Sequence, residues 1–148
     1  MAAPGRLNST VDIAASDARV WELLTDFAAF PEWNPFIPKT SGVIEAGKRI
    51  EVVLQPPGRK PTTFRPKLLP VVPEREFRWL GHVGIPGIFD GEHASLIEPM
   101  GNNRVRFTQQ ESFPGILRPF LGGLLRDSGR GFGAMNEALK ARAEGEGT

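Results

Sequence analysis

Apolar and polar positions alternate in short runs along most of the chain, and the alternation gives way to helical spacing in two places. Leu7 to Ile13 alternates weakly through Leu7, Ser9, Val11 and Ile13, which predicts a first strand. Ser16 then offers an N-cap, with Asp17 in the first turn, where the helix dipole favours negative charge. Val20, Leu24 and Phe27 follow at helical spacing, Trp21 and Leu23 widen the stripe, and the helix should stop before Pro31. Phe30-Pro31-Glu32-Trp33-Asn34-Pro35-Phe36 predicts a compact aromatic turn with one short helical turn, because its prolines fix the chain and remove amide donors.

Strand patterns resume at Lys39–Glu45 and Arg49–Gln55, followed by a Pro/Gly loop over 55–61. Thr62–Val72 is expected to return to the sheet, with Pro66 and Pro70 marking an edge or a bulge. Arg75–Val83, Ile88–Glu98 and Arg104–Phe113 complete the set, separated by turns at Gly84–Gly87 and near Asn102. Short turns between consecutive strands mean antiparallel pairing. Ile116–Ala143 then shows helical spacing through Leu117, Leu121, Leu124, Ser128, Phe132, Met135 and Leu139. Gly122, Gly123, Gly129, Gly131 and Gly133 lie within it, each costing about 1 kcal/mol relative to alanine. Packing across a sheet is the obvious compensation. Missing side chains along the helix could serve close contact or leave room for a ligand. Residues 144–148 should fray.

The expected fold is therefore α+β: a curved antiparallel sheet of about seven strands wrapped around a long C-terminal helix, with short helices after the first strand. With 148 residues it should be a single domain, 1–148, with its core over about residues 8–142. A curved sheet around a helix fills imperfectly, so a cavity is expected between them.

Strand parity sorts the candidate chemistry. His93, Ser95 and Ile97 fall on one face, with Glu92 and Glu98 on the other, so the first set is placed inside. Val105, Phe107, Gln109, Glu111 and Phe113 form the more apolar set of the next strand. A hairpin turning near Asn102 would bring Gln109 and Glu111 beside His93. A histidine beside a glutamate can act as general acid or base near neutral pH. Interior polar groups in such sheets more often satisfy one another or hold water. His82 falls on the opposite side and should be exposed.

Composition removes several classes. Hydrophobic residues make up 40% and charged residues 24%, as in ordinary globular domains, and no apolar run is long enough to span a membrane. Cysteine and tyrosine are both absent, which excludes disulfides, thiolate chemistry and phenolic acids. A reducing, cytoplasmic location fits this, and the N-terminal residues do not read as a secretory signal. Lys+Arg 18 against Asp+Glu 17 carries no nucleic-acid signature. His82 and His93, on different faces and without cysteine, make no zinc site, and no metal or other cofactor is expected. Ser95 lacks a nucleophile elbow, and the glycines around Arg130 follow no strand, so neither serine catalysis nor phosphate binding is indicated.

Thr25-Asp26-Phe27, the segment Phe30 to Phe36, and Phe89-Asp90-Gly91-Glu92-His93 resemble the START-like (helix-grip, SRPBCC) superfamily. Within it, the bacterial polyketide cyclase/dehydrase and lipid-transport branch is the nearest in character. The resemblance runs from Asn8 to about Arg142. It implies a pocket rather than a reaction, since members bind lipids, sterols, polyketides or other hydrophobic molecules between sheet and helix, and a minority are cyclases or aromatases. Expected ligand-binding residues are Trp33, Phe64, Phe77, Trp79, His93, Gln109, Glu111, Phe113, Phe132 and Met135, with Trp33 near the mouth. Expected function is binding of a small hydrophobic ligand, lipid or polyketide-like. The alternatives are a polyketide cyclase or aromatase in which His93 and Glu111 shuttle protons for aldol condensation and dehydration, and an interaction module with a vestigial cavity. The partner would be a small hydrophobic molecule, without nucleic acid and without stable membrane insertion.

Overall fold

Alternation at the start of the chain produces β1 (Gly5–Ile13), and Ser16 caps the following helix α1 (Asp17–Thr25), its hydroxyl accepting from the Arg19 amide at 3.1 Å. The computed structural model describes residues 5–82, 90–113 and 122–145. A single 3-10 turn at Phe27–Ala29 leads into the four-residue helix α2 (Phe30–Trp33), which Pro31 enters at its first turn, where a missing amide costs nothing. Asn34 closes the turn: its buried Oδ1 accepts from the amides of Phe36 and Ile37 at 3.0 and 2.8 Å.

Among the described residues seven further strands follow: β2 (Lys39–Ser41), β3 (Glu51–Leu54), β4 (Thr62–Phe64), β5 (Lys67–Leu68), β6 (Glu76–His82), β7 (Asp90–Gly101) and β8 (Arg104–Phe113). All described pairings are antiparallel, in the orders β1-β8-β7-β6-β5 and β2-β3-β4. The strand expected over 62–72 is cut at Pro66. Proline has no amide to donate, so the ladder breaks there. Its carbonyl still accepts from Ile50, at 3.0 Å, and Leu68 donates to Lys48 at 2.8 Å. β4 and β5 are thus two pieces of one bent strand, β4 paired with β3 and β5 with β6. An Arg49–Lys67 bridge joins the two sets. Among the described residues the seven expected strands become eight by this single break.

β2 is also shorter than the sequence pattern suggested. It stops at Ser41, just before Gly42, whose φ of +131° is open mainly to glycine and where a Cβ would collide with Ile50. β7, by contrast, runs three residues past Glu98, to Gly101.

The helix α3 (Gly122–Gly145) lies along β1 and buries Phe132, Met135, Leu139 and Ala143. Leu117, Leu121 and the side chain of Leu124, expected on the same stripe, lie outside the described residues. Glu144 fastens the end of α3 to the end of β1, accepting from the Ala14 amide at 2.8 Å and from Lys140 at 2.6 Å. The core joins both helices to the sheet through Ile13, Val20, Leu24, Phe107 and Leu139. Among the described residues no helix is long and apolar enough to cross a membrane.

Candidate functional site

The β7–β8 hairpin turns through Asn102 and Asn103, both in the left-handed region at φ 53° and 57°. This is the backbone of a two-residue hairpin turn, which asparagine tolerates. A regular ladder from that turn would place His93 opposite Ser112. The register instead shifts by one between Pro99 and Gly101, at Met100. The bulge sets His93 opposite Glu111 and Ser95 opposite Gln109. Without it, the apolar faces of the two strands would point to opposite sides of the sheet.

On the inner face the rows run Trp79–His93–Glu111–Leu7 and Phe77–Ser95–Gln109–Ser9 across β6, β7, β8 and β1. The His93 ring stacks on Trp79, with centroids 4.7 Å apart and planes 19° apart, and meets Phe132 of α3 edge-on at 5.4 Å. Phe77 joins Trp79 at 5.7 Å, and Trp21 of α1 joins Phe77 at 5.9 Å. At the other end Phe132 meets Phe36 at 5.2 Å. Six rings thus form an unbroken chain from α1 through the sheet to α3 and the turn after α2.

The next inner row is Gly81–Gly91, opposite one another on β6 and β7. Two glycines leave the sheet without side chains beside the His93 row. A Cβ at Gly91 would stand 3.6 Å from Glu111 Oε1, so the carboxyl reaches over this bare strand. Gly81 was not singled out from the sequence and Gly91 entered only within the segment that carries the family resemblance, although an interior strand glycine is itself a signal of close approach.

Gln109 is fully buried and tied to α3. Its Nε2 donates to Asn136 Oδ1 at 2.7 Å and faces the Phe132 carbonyl at 3.4 Å, and Asn136 Nδ2 donates to Ser9 Oγ at 3.0 Å. Asn136 was likewise missed, though an asparagine between Phe132 and Leu139 on an apolar stripe is a visible anomaly. Three polar atoms of this region are buried without a hydrogen-bond partner among the described residues: His93 Nε2, Gln109 Oε1 and Glu111 Oε2.

Burial pushes His93 down to about 4, because the imidazolium loses its hydration. Burial, helped by the negative charge of Glu92, pushes Glu111 up to about 8. The residue as a whole is half-buried, but its Oε2 is sealed from solvent. The two shifts cross: near neutral pH the proton sits on Glu111 and His93 is uncharged. Close opposition of carboxylate and imidazole would raise the histidine, and desolvation outweighs it.

The other expected ligand-binding residues are placed as follows. Phe77, Trp79, Phe132 and Met135 are buried on the inner face or on α3. Trp33 is half-buried and packs edge-on against Phe30 at 5.4 Å. Phe64 stands on β4 opposite Val52, away from the His93 row. The side chains of Phe113 and His82 lie outside the described residues, as does Phe89. A cleft of about 350 Å³ opens between Pro35 and Phe36, the loop Gln55–Gly58, and Gly131 and Ala134 of α3. Of these only Gly131 was tied to a cavity by the sequence, as a helix glycine that could leave room for a ligand. A methyl group at Gly131 would overlap the Phe36 ring, so this glycine serves close contact with the aromatic turn. Among the described residues no cluster of three His, Cys, Asp or Glu side chains could hold a metal ion.

The profile of the family described as polyketide cyclase / dehydrase and lipid transport matches residues 4–144, and the chain belongs to that family. No curated protein matches the sequence significantly. Among solved structures, the chain resembles the Zhui aromatase/cyclase from Streptomyces sp. R1128, with TM-score 0.75 and 17% identity over 99% of this chain and 97% of that one. It also resembles a START superfamily protein from Mycobacterium smegmatis, with TM-score 0.72 and 18% identity over 95% and 97% of the two chains. A third is norcoclaurine synthase from Thalictrum flavum in complex with dopamine and hydroxybenzaldehyde, with TM-score 0.67 and 15% identity over 98% and 89%. At these identities the likeness establishes a shared fold, the helix-grip arrangement of curved sheet and long C-terminal helix.

Proposed function

From membership of the polyketide cyclase/dehydrase and lipid-transport family, we propose that the protein binds a small hydrophobic molecule, lipid or polyketide-like, between the curved sheet and α3. It does so as a single START-like domain in the cytoplasm, without nucleic acid or membrane insertion. The observation that carries this reading is the inner face around His93. Aromatic rings, two bare glycine positions and three unpartnered polar atoms lie together there. Apolar walls with a few convergent polar groups are the usual make-up of a small-molecule site. The solved neighbours include one bound to two small aromatic molecules, which fits a ring-lined site.

A second reading, a cyclase or aromatase using His93 and Glu111, is favoured by the opposition of these two groups and by their shifted ionisation. In it, Glu111 would donate a proton to a ligand oxygen and His93 would accept one. A histidine held near 4 is a weak base at neutral pH, which favours binding over turnover. The deciding experiment titrates the neutral probe Nile red and, in parallel, incubates the protein with a poly-β-keto substrate analogue. Saturable probe binding with an unchanged analogue supports the carrier. Cyclised product that disappears in His93→Ala and Glu111→Gln supports the enzyme. A chain that binds no probe would leave only the reading of an interaction module with a vestigial cavity.

A further inference from the structure

The three unpartnered atoms on the inner face differ in what they can exchange, and the difference restricts the ligand. Gln109 has its amide orientation set by its neighbours. The Phe132 carbonyl can only accept, and it lies 3.4 Å from Gln109 Nε2, which also donates to Asn136 Oδ1 at 2.7 Å. Gln109 Oε1 is therefore the free end, and it is an obligate acceptor. Glu111, protonated by its burial, presents Oε2 as part of a carboxylic acid, which can donate. Neutral His93 presents Nε2, which accepts or donates according to its tautomer.

Gln109 and Glu111 are two residues apart on one strand, about 7 Å along it. A single oxygen hydrogen-bonded to both side chains spans roughly 5.5 Å of that. One group both gives a proton to Gln109 and receives one from Glu111: a hydroxyl. A carboxylate has no proton for Gln109. The inner-face positions of β1, β6, β7 and β8 include no lysine or arginine among the described residues to balance a buried anion.

We propose that the site selects a neutral lipophilic alcohol or phenol, holding its hydroxyl between Gln109 and Glu111 on the inner face of β8, and that it rejects carboxylates. This rests on the ligand-binding reading above and adds the chemistry of the ligand's polar end.

Three ring-matched probes test it by tryptophan quenching and calorimetry: 2-naphthol, naphthalene and 2-naphthoate. At about pH 6 a phenol is neutral and a carboxylate ionised. Naphthol is expected to bind roughly five- to tenfold more tightly than naphthalene, the range for one net hydrogen bond at a buried site. Naphthoate should bind more weakly than either. In Gln109→Leu and in Glu111→Leu the preference for naphthol over naphthalene should fall to about one, while Glu111→Gln, whose amide still donates, should keep most of it. Gln109→Leu also breaks the tie to Asn136, so Glu111→Leu carries the test if that variant does not fold. Naphthalene binding as tightly as naphthol, or naphthoate binding best, would overturn the hydroxyl selection and leave the hydrophobic site standing. Binding of none of the three would overturn both.

Discussion

His93 and Glu111 stand directly opposite one another on β7 and β8, and burial leaves the histidine neutral and the glutamate protonated. The pair stores one proton in the uncharged arrangement, which needs no counter-ion in an apolar site. Its behaviour under substitution separates a carrier from an enzyme. In a carrier, His93→Ala and Glu111→Gln should each change Nile red affinity by no more than about 1–3 kcal/mol, the size of a lost buried hydrogen bond. In an enzyme each should remove most turnover, with the double variant little worse than either single one, because the groups act as a unit. Binding isotherms and product analysis on the same preparations check this.

The crossed ionisation gives an unusual pH dependence of stability. Glu111 rises from 4.5 to about 8 on folding, so its contribution is present below 4.5 and is lost as pH rises to 8. His93 falls from 6.5 to about 4, so its contribution is present above 6.5 and is lost as pH falls to 4. Between about 4.5 and 6.5 the two slopes cancel. Above 6.5 only Glu111 acts, and stability should decline by at most about 2 kcal/mol up to pH 8. Asp12, Asp17 and Glu144, held low by hydrogen bonds and by basic neighbours, act only at more acid pH. Urea titrations at stepped pH should show the decline, and Glu111→Gln should abolish it.

Gly91 tests the bare strand. A Cβ there makes ordinary contact with Glu111, so Gly91→Ala should be tolerated, with a stability gain of up to about 1 kcal/mol from reduced backbone entropy. Gly91→Leu would fill the space beside His93. It should lower Nile red affinity by about tenfold or more, equivalent to at least about 1.4 kcal/mol, while the thermal midpoint holds. Unchanged affinity in a folded Gly91→Leu would remove this strand from the site.

Two glycines of α3, two residues apart, should respond in opposite directions. Gly133 faces open space, so Gly133→Ala should stabilise by about 1 kcal/mol through helix propensity. Gly131→Ala meets the Phe36 ring, and overpacking of about 1–3 kcal/mol should outweigh the same gain. Adding Phe36→Leu to Gly131→Ala should recover part of the loss. Denaturation midpoints of the four proteins report the sign directly.

Asn136 links α3 to β8 and β1 at once. Asn136→Ala should cost about 1–3 kcal/mol by leaving Gln109 and Ser9 without their partner. If chemical denaturation shows no loss, the network does not fasten the helix.

Local patterning was enough to read much of this protein. Ser16 as a cap, the helical stripe of α1, the proline turn and the inward parity of His93, Gln109 and Phe107 follow from period and residue type, because each depends on near neighbours in the chain. The family resemblance carried by the aromatic-proline turn and the residues around His93 pointed to the same fold. What remained hidden depends on contacts between distant segments. The Met100 bulge that sets His93 opposite Glu111, the break at Pro66 and the pairing of Gly81 with Gly91 are matters of register. Alternation is insensitive to register until two strands are brought together. Gly131 could be read as space or as contact until Phe36 filled it. The ionisation of His93 and Glu111 was equally open in the sequence, since attraction and desolvation push the histidine in opposite directions. Only the depth of burial in the folded molecule decided that desolvation prevails.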